Sequence, residues 1–277
     1  MSKLNRTAND QREIGTPQSQ NPFAVPDVDW VREQQAAWDD FAPDYYQAER
    51  ESQLPYVSEV IAFLKQQALL PAKLMDLGCG AGRFSIPFAQ AKVQVQAVDF
   101  SEAMLRLLKS RVQALNLDQW IEMEQAAWQT LVAQQRPVPV LWLSMLPEID
   151  AAEIQQLGQL VTHQLMIFRL TAVTNDQLDR LRSQLNLPQE HPEVQPQLMT
   201  TYQSALRPDL HLIQHHYFHY DLSETMTRLE LDEYLRDVLE LDPVTMTKAL
   251  EMLDSQIIKH QLTMVDHYTF ELMIFQR

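Results

Sequence analysis

Three of the five glycines in this 277-residue chain lie on alternate positions of one short segment. The segment, Leu74–Phe84, reads LMDLGCGAGRF, and its glycines are Gly78, Gly80 and Gly82. A glycine inside a strand or helix costs roughly 0.5–1 kcal/mol relative to alanine, so such a cluster needs a physical reason. We therefore expect a tight turn here, at which the backbone comes close to a ligand.

The glycine segment lies within a repeating alternation of short apolar strands and helices. The helix that follows the second strand has Ser101 at its predicted N-cap. Strands that alternate with helices along the chain are typical of a parallel, doubly wound α/β sheet. The predicted strands are 73–77, 93–100, 120–124, 138–144 and 164–170, and the predicted helices are 83–90, 101–115, 126–135 and 150–162.

The regions outside this alternation predict additions to one domain. Residues 1–27 are polar and are expected to form a disordered tail, with the domain over 28–277. Its core is expected over about 70–170 and 208–277, with 211–222 and 265–277 as further strands. Pro43 is expected to break or redirect the first helix, and the last two helical additions are expected to form a substrate-facing cap. The predicted helical additions are about 28–69, 175–207 and 223–262.

An acidic residue ends the second strand, 17 residues beyond the last glycine of the turn. In a doubly wound sheet, Asp99 at this edge is placed to accept hydrogen bonds from the hydroxyls of a ribose. A dinucleotide-binding turn has the spacing G-x-G-x-x-G, whereas Arg83 stands here at the place of the third glycine. A phosphate on Arg83 is still compatible with the sequence, so a NAD-dependent oxidoreductase stays open as an alternative.

Two segments, LMDLGCGAGRFSIPFA and VQAVDFSEAML, closely resemble the cofactor-binding half of class I S-adenosylmethionine-dependent methyltransferases of the small-molecule type. The family's first motif, D-x-G-x-G-x-G, matches Asp76–Gly82. Its second motif, an acid followed by S-x-x-M-L, matches Asp99–Leu105 with one residue between the acid and the serine. The resemblance covers about 28–170 and implies S-adenosylmethionine as cofactor, methyl transfer to a small molecule, and a seven-stranded, mostly parallel sheet with a reversed last strand.

The resemblance also implies roles for individual residues. The three glycines would line the methionyl and ribose portion, Asp76 would organise the turn, and Asp99 would bind the ribose hydroxyls. Phe100 and Met104 would border the adenine, and Tyr45, in an A-x-x-Y helix, would close over the cofactor. Cys79 is expected to be a packed residue of the turn. The complete predicted cofactor-binding set is Tyr45, Asp76, Gly78, Cys79, Gly80, Gly82, Asp99, Phe100, Met104, Ala127, Trp128 and Ser144.

The sequence departs from the family after the third and fourth strands. Where many relatives carry an acid that meets the adenine amino group, this chain has Gln125–Trp128, so Gln125, Gln129 or a backbone carbonyl would take its place. The fourth strand ends in Ser144–Pro147, without the N-P-P-Y or D-P-P-Y motif of members that methylate exocyclic or amide nitrogens. The missing motif disfavours an enzyme that modifies DNA. The missing adenine-contacting acid, and a fourth strand without the usual acidic opening, favour as a second alternative a methyltransferase-like cofactor-binding or regulatory protein without catalysis.

Composition limits the partners and the compartment. The net charge is −15 and no basic stripe is present, which disfavours a nucleic-acid substrate. The single cysteine, Cys79, allows no intramolecular disulfide. The longest apolar run, 138–146, is far shorter than the roughly 20 residues of a membrane span, and the N-terminus has no apolar signal segment. We expect a cytoplasmic protein that acts on a small-molecule acceptor.

The candidates for a proton acceptor lie near the ends of the fourth and sixth strands. They are Glu148, His215 and His219. His211, His215 and His219 would share one face of a strand, but residues four apart on a strand are about 13 Å apart. That spacing is too wide for three ligands of one zinc ion, so no metal site is predicted.

Overall fold

The computed structural model describes residues 28–146, 149–188, 194–206, 209–254 and 256–277. The predicted tail over 1–27 lies outside the described residues. In these ranges, no helix has the length and apolar character that crossing a membrane requires. The helices are α1 Val28–Glu51, α2 Tyr56–Gln66, α3 Ser85–Gln90, α4 Glu102–Ala114, α5 Trp128–Ala133, α6 Ala151–Leu160, α7 Asp176–Leu185, α8 Leu198–Leu206, α9 Arg228–Glu233 and α10 Pro243–Asp254, with a π-helical turn at Tyr234–Val238. The strands are β1 Lys73–Leu77, β2 Gln94–Asp99, β3 Ile121–Gln125, β4 Val138–Ser144, β5 Val161–Thr174, β6 His211–Thr227 and β7 Gln261–Gln276.

The described strands form one seven-stranded sheet in the order β3-β2-β1-β4-β5-β7-β6. The pairs β1–β2, β2–β3, β1–β4 and β4–β5 are parallel, and the last strand is antiparallel. The predicted doubly wound fold with a reversed last strand is therefore confirmed. The strand order reverses at β1, which has β2 on one side and β4 on the other. The carboxyl ends of β1 and β4 flank the point where ligands bind in such sheets.

The core on both faces of β1, β4 and β5 follows from the alternation of their side chains. On one face, Trp142 is fully buried and packs against Phe84, Phe88 and Phe168, with ring centroids 4.9–6.2 Å apart. On the other face, apolar side chains of the strands pack with those of α6 and α8, including Leu157. Contacts of this kind make the carboxyl edge of the sheet a rigid platform.

The chain divides into two compact units. The first contains the described residues of 1–169, 198–216 and 271–277, and the second those of 170–197 and 217–270. Within the second unit, α7 packs against α10, and Asn175 caps α7 while its side-chain amide donates to Asp266, 2.7 Å away. Of the predicted helical addition 175–207, α7 belongs to the second unit and α8 to the first.

The structure departs from two predictions about these elements. Helix α1 continues through Pro43, so the predicted break does not occur. Proline removes one backbone hydrogen bond, but the buried Ala42 and contacts with α4 hold the helix in place. Strand β6 continues to Thr227, although helix was predicted from residue 223. Alternating exposure persists over 223–227, and the capping box that starts the next helix has its N-cap at Thr227.

Candidate functional site

The glycine turn joins β1 to α3 and is tied to the neighbouring strand by its backbone. The N–H groups of Gly78 and Cys79 both donate to the carbonyl of Val98 in β2, at 2.8 and 3.1 Å. Gly78, Gly80 and Gly82 all have positive φ, at 72°, 52° and 90°. This conformation is strained for most other residues, so the turn needs glycine for its path.

Asp99 connects the turn to the start of α4. One carboxylate oxygen accepts the N–H of Gly80 at 2.8 Å, and the other accepts the N–H of Ser101 at 2.9 Å. Burial raises the pKa of Asp99, and the hydrogen bonds from Ser101 and Gly80 oppose that rise. A carboxylate has about four acceptor sites, so each oxygen keeps capacity for a further donor. The two sequence motifs are thus brought together at one point.

The space next to Gly80 is a narrow cradle. A Cβ atom at Gly80 would lie 3.7 Å from a ring carbon of Tyr45 and 3.9 Å from the sulfur of Met104. Met104 is buried in a small cluster with Ala42 and Ala81, while Tyr45 is partly exposed. The cradle therefore offers both polar groups (backbone N–H groups and the Asp99 carboxylate) and apolar ones (the Tyr45 ring and the Met104 thioether). Such a lining suits a ligand that has both polar and apolar parts.

Gly82 has a different role from Gly80. A Cβ at Gly82 would lie 2.4 Å from Leu108 of α4, and it would also press on Ile86 at 3.4 Å. Gly82 therefore lets α4 pack closely against the turn. The sequence motif alone does not show whether a glycine is needed for such packing or for contact with a ligand.

Asp76 lies at the base of the turn and is almost fully buried. One oxygen accepts the hydroxyl of Ser85 at 2.5 Å, and the other has no hydrogen-bond partner among the described residues. Burial raises the pKa of Asp76 to about 7, while the hydrogen bond from Ser85 opposes the rise. The bond to Ser85, the first residue of α3, supports the expected role of Asp76 in organising the turn.

Cys79 is buried within the turn, as expected of a packed residue. Burial raises the pKa of its thiol well above the usual range. A thiol that resists deprotonation is a poor nucleophile, so Cys79 has no features of a catalytic cysteine.

Helix α1 docks on the turn through polar contacts that sequence reasoning missed. Arg111 of α4 donates to the carbonyl of Ala81 at 2.6 Å and to Glu49 of α1 at 2.9 Å. Asp39 of α1 accepts the side-chain hydroxyl of Ser101 at 2.6 Å. The partners are 30 to 62 residues apart in the sequence, so no local pattern reveals them.

Arg83, which occupies the third-glycine place, is engaged inside the protein. Its guanidinium donates to the hydroxyl of Tyr56 at 2.7 Å and lies 5.0 Å from the ring centroid of Tyr45. Burial acts to lower the pKa of Arg83, but Tyr45, Tyr56 and Glu49 together raise it. Through these contacts, Arg83 holds the aromatic side chains of Tyr45 and Tyr56 beside the turn.

The ends of β2 and β3 form the opposite side of the site. The N–H of Ala126 donates to the carbonyl of Asp99 at 3.0 Å, and the side-chain amide of Gln125 donates to the carbonyl of Phe100 at 3.2 Å. The side-chain oxygen of Gln125 is an acceptor, which is what an adenine amino group requires. The half-buried Ala127 and Trp128 follow at the start of α5.

The end of β4 turns sharply next to the glycines. Ser144 ends the strand, and Met145 has a left-handed φ of 51°. Leu146 then lies on the glycine turn, because its side chain comes within 2.4 Å of the place where a Cβ of Gly78 would lie. The carbonyl of Leu146 accepts a hydrogen bond from Arg169 of β5.

Of the three proton-acceptor candidates, only His215 can be placed relative to the glycine turn, and it lies away from it. Glu148 lies outside the described residues. His215 pairs with the buried Glu271 at 2.7 Å, on a strand that is four positions from β1, about 19 Å across the sheet. His219, in the second unit, contacts the hydroxyl of Thr269 at 3.1 Å. No cluster of three or more metal-ligating side chains occurs in the part of the chain that the structure describes.

Comparisons with known proteins point to one family. Residues 74–165 match a family model described as a methyltransferase domain. No curated protein matches the sequence. The chain is similar in structure to magnesium protoporphyrin IX methyltransferase from Synechocystis PCC 6803 with bound SAH, at a TM-score of 0.51 and 18% identity over 68% of this chain and 92% of that one. The same enzyme with bound SAM gives a TM-score of 0.50 and 16% identity over 73% of this chain and 92% of that one.

Proposed function

We propose that the protein transfers the methyl group of S-adenosylmethionine to a small-molecule acceptor by in-line displacement, since residues 74–165 match a methyltransferase domain. The observation that carries the proposal is the contact between Gly80 and Asp99, which joins the two family motifs through a 2.8 Å hydrogen bond. The domain match favours this function over the NAD-dependent oxidoreductase.

The residues around the glycine turn fit the cofactor. Asp99 would accept the ribose hydroxyls with the lone pairs that the Gly80 and Ser101 N–H groups leave over. The absence of a side chain at Gly80 would let the cofactor pass between the backbone, Tyr45 and Met104. The Gln125 side chain and the start of α5 would meet the adenine.

When bound, the cofactor supplies a methyl group on a sulfonium, which is already an electrophile. The protein then has to hold the acceptor in line with that methyl group and to exclude water. The buried cluster of Ala42, Ala81 and Met104 would exclude water from one side of the turn. Tyr45, held by Arg83, would limit motion beside it.

Three observations support a small molecule as acceptor. The net charge of −15 disfavours binding to nucleic-acid phosphates. The buried Cys79, with its raised thiol pKa, disfavours the covalent cysteine mechanism used at pyrimidine carbons. Ser144–Pro147 also lacks the motif of enzymes that methylate exocyclic nitrogens.

The test is a transfer assay with S-adenosylmethionine that carries a tritiated methyl group. The purified protein is incubated with separate pools of phenols, amines, thiols and carboxylic acids, and with short DNA and RNA duplexes. We expect label on a member of a small-molecule pool and none in a Gly80→Val control. Label on nucleic acid alone would contradict the proposed acceptor class. Cofactor binding without transfer to any pool would favour the non-catalytic alternative.

A further inference from the structure

One cation near the glycine turn has no acidic partner in the part of the chain that the structure describes. Arg169, the last residue of the first unit in β5, donates to the backbone carbonyl of Leu146. Arg169 is only partly exposed. Burial lowers the pKa of its guanidinium, and Tyr202 opposes that change. No described Asp or Glu forms an ion pair with it.

The other arginines beside the turn show what is unusual about Arg169. Arg111 pairs with Glu49 at 2.9 Å, and Arg83 lies 3.6 Å from the same carboxylate. Arg136, which precedes β4, pairs with Glu124 of β3 at 2.6 Å. Each of these guanidinium groups pairs with a carboxylate, whereas among the described residues Arg169 contacts the carbonyl of Leu146 and interacts with Tyr202.

The position of Arg169 places it where an acceptor has to bind. Its strand lies two positions from β1, about 10 Å across the sheet, and its partner Leu146 lies directly on Gly78. If the Arg169 side chain extends toward the carboxyl edge, the distance from its guanidinium to the glycine turn is therefore no longer than a small molecule. The cofactor's reactive end is expected at that turn.

Holding the carbonyl of Leu146 does not by itself require an arginine. One N–H donor is sufficient for one carbonyl, and a neutral donor avoids the cost of desolvating a charge. A guanidinium has five N–H donors in a planar fork that matches the two oxygens of a carboxylate or phosphate. Such a group can bind a small anion locally, although the net charge of −15 disfavours anions over the surface as a whole.

We propose that Arg169 binds an anionic oxygen group, a carboxylate or a phosphate, on the methyl acceptor. This inference rests on the proposed function, and it narrows the acceptor class to small molecules that carry a nucleophile and such an anion. The guanidinium would fix the distance between the anion and the glycine turn and thereby help to align the nucleophile.

The test observes Arg169 directly by NMR of protein with ¹⁵N-labelled arginine, saturated with S-adenosylhomocysteine. The Nε–H signal of Arg169 is assigned by its loss in Arg169→Lys. The probes are propionate and inorganic phosphate, with propionamide as the neutral control, all at constant ionic strength. We expect a saturable shift of this signal with propionate or phosphate, and none with propionamide. Comparing the response to propionate with the response to phosphate shows whether Arg169 binds a carboxylate or a phosphate.

Variants separate anion binding from other effects. Arg169→Gln is expected to weaken the binding of the effective anion, measured by calorimetry, at least tenfold, whereas Arg136→Gln leaves it unchanged. The affinity for S-adenosylhomocysteine should stay within twofold in both. An Arg169 signal that does not respond to either anion would overturn the proposal. So would an anion response that appears only in Glu148→Gln, because the chain would then supply its own carboxylate.

These outcomes are independent of turnover. An unresponsive Arg169 in a protein that methylates a neutral acceptor would remove this inference and leave the proposed function intact. The absence of methyl transfer, with a responsive Arg169, would remove the proposed function and leave an anion site.

Discussion

The two sides of the sheet's switch point are built in different ways. On the β1–β2 side, the carboxylate of Asp99 accepts the backbone N–H groups of Gly80 and Ser101 at 2.8 and 2.9 Å, and these residues belong to two sequence motifs. On the β4–β5 side, Leu146 and Arg169 come together from different strands, and no motif marks them. The proposed cofactor side is therefore held by contacts of the turn backbone, whereas the proposed acceptor side depends on side chains brought together by the fold.

The largest expected effect concerns Asp76, beneath the cofactor side. The pKa of Asp76 is raised from 3.8 to about 7, so the folded chain holds a proton that the unfolded chain releases between those values. The contribution of this group to stability is therefore complete below about pH 4 and is lost as pH rises through about 7. The loss amounts to about 4 kcal/mol in the free energy of unfolding.

Asp76→Asn tests this expectation. Urea unfolding between pH 4 and pH 7.5 should show a decline for the wild type that is largely absent from the variant. Parallel pH profiles for the two proteins would show that Asp76 is ionised throughout the range, and would contradict the assigned pKa.

The next effect separates the glycines of the turn. Gly82→Ala places a Cβ 2.4 Å from Leu108 at a φ of 90°, so it should reduce the free energy of unfolding by about 3 kcal/mol. Gly80→Ala meets only ordinary contacts of 3.7 and 3.9 Å and should cost about 1 kcal/mol. In the folded Gly80→Ala protein, the loss of binding free energy for S-adenosylhomocysteine should be larger than the loss of unfolding free energy. Equal stability losses would remove the distinction between a packing glycine and a ligand-facing one.

A smaller effect tests the attachment of helix α1 to the turn. Arg111→Met keeps the length of the side chain but removes the donors to Ala81 and Glu49. We expect S-adenosylhomocysteine to bind about tenfold more weakly, which is about 1.4 kcal/mol, by calorimetry. Arg106→Met, in the same helix and with its side chain 65% exposed, is the matched control and should bind normally.

The smallest effect tests whether the acceptor side is separate from the cofactor side. The hydroxyl of the buried Tyr202 in α8 donates to the carbonyl of Ile149, after β4. Tyr202→Phe should lower the free energy of unfolding by about 1 kcal/mol and leave the affinity for S-adenosylhomocysteine unchanged. A loss of cofactor affinity in this variant would show that the two sides are coupled.

The sequence predicted the sheet, and the two motifs that it singled out meet in the structure, where Gly80 donates to Asp99. Each signal is short: the three glycines lie within five residues, and the acid directly ends the second strand of an alternating strand–helix pattern. The docking of α1 was not predictable in this way, since Glu49 and Arg111 are 62 residues apart. The continuation of α1 through Pro43 was missed for the same reason, because tertiary packing outweighed the local preference of proline.

The most direct test of the central claim is calorimetric titration with S-adenosylhomocysteine. Wild type, Asp99→Ala and Glu124→Gln are compared, and thermal unfolding verifies that each is folded. Asp99 is the carboxylate that joins both motifs, whereas Glu124 lies in the neighbouring strand β3 and pairs with Arg136. We predict saturable binding to the wild type and to Glu124→Gln, and about 100-fold weaker binding to Asp99→Ala. Equal affinity in all three proteins, or no binding to the folded wild type, would contradict the assignment of this turn as the S-adenosylmethionine site.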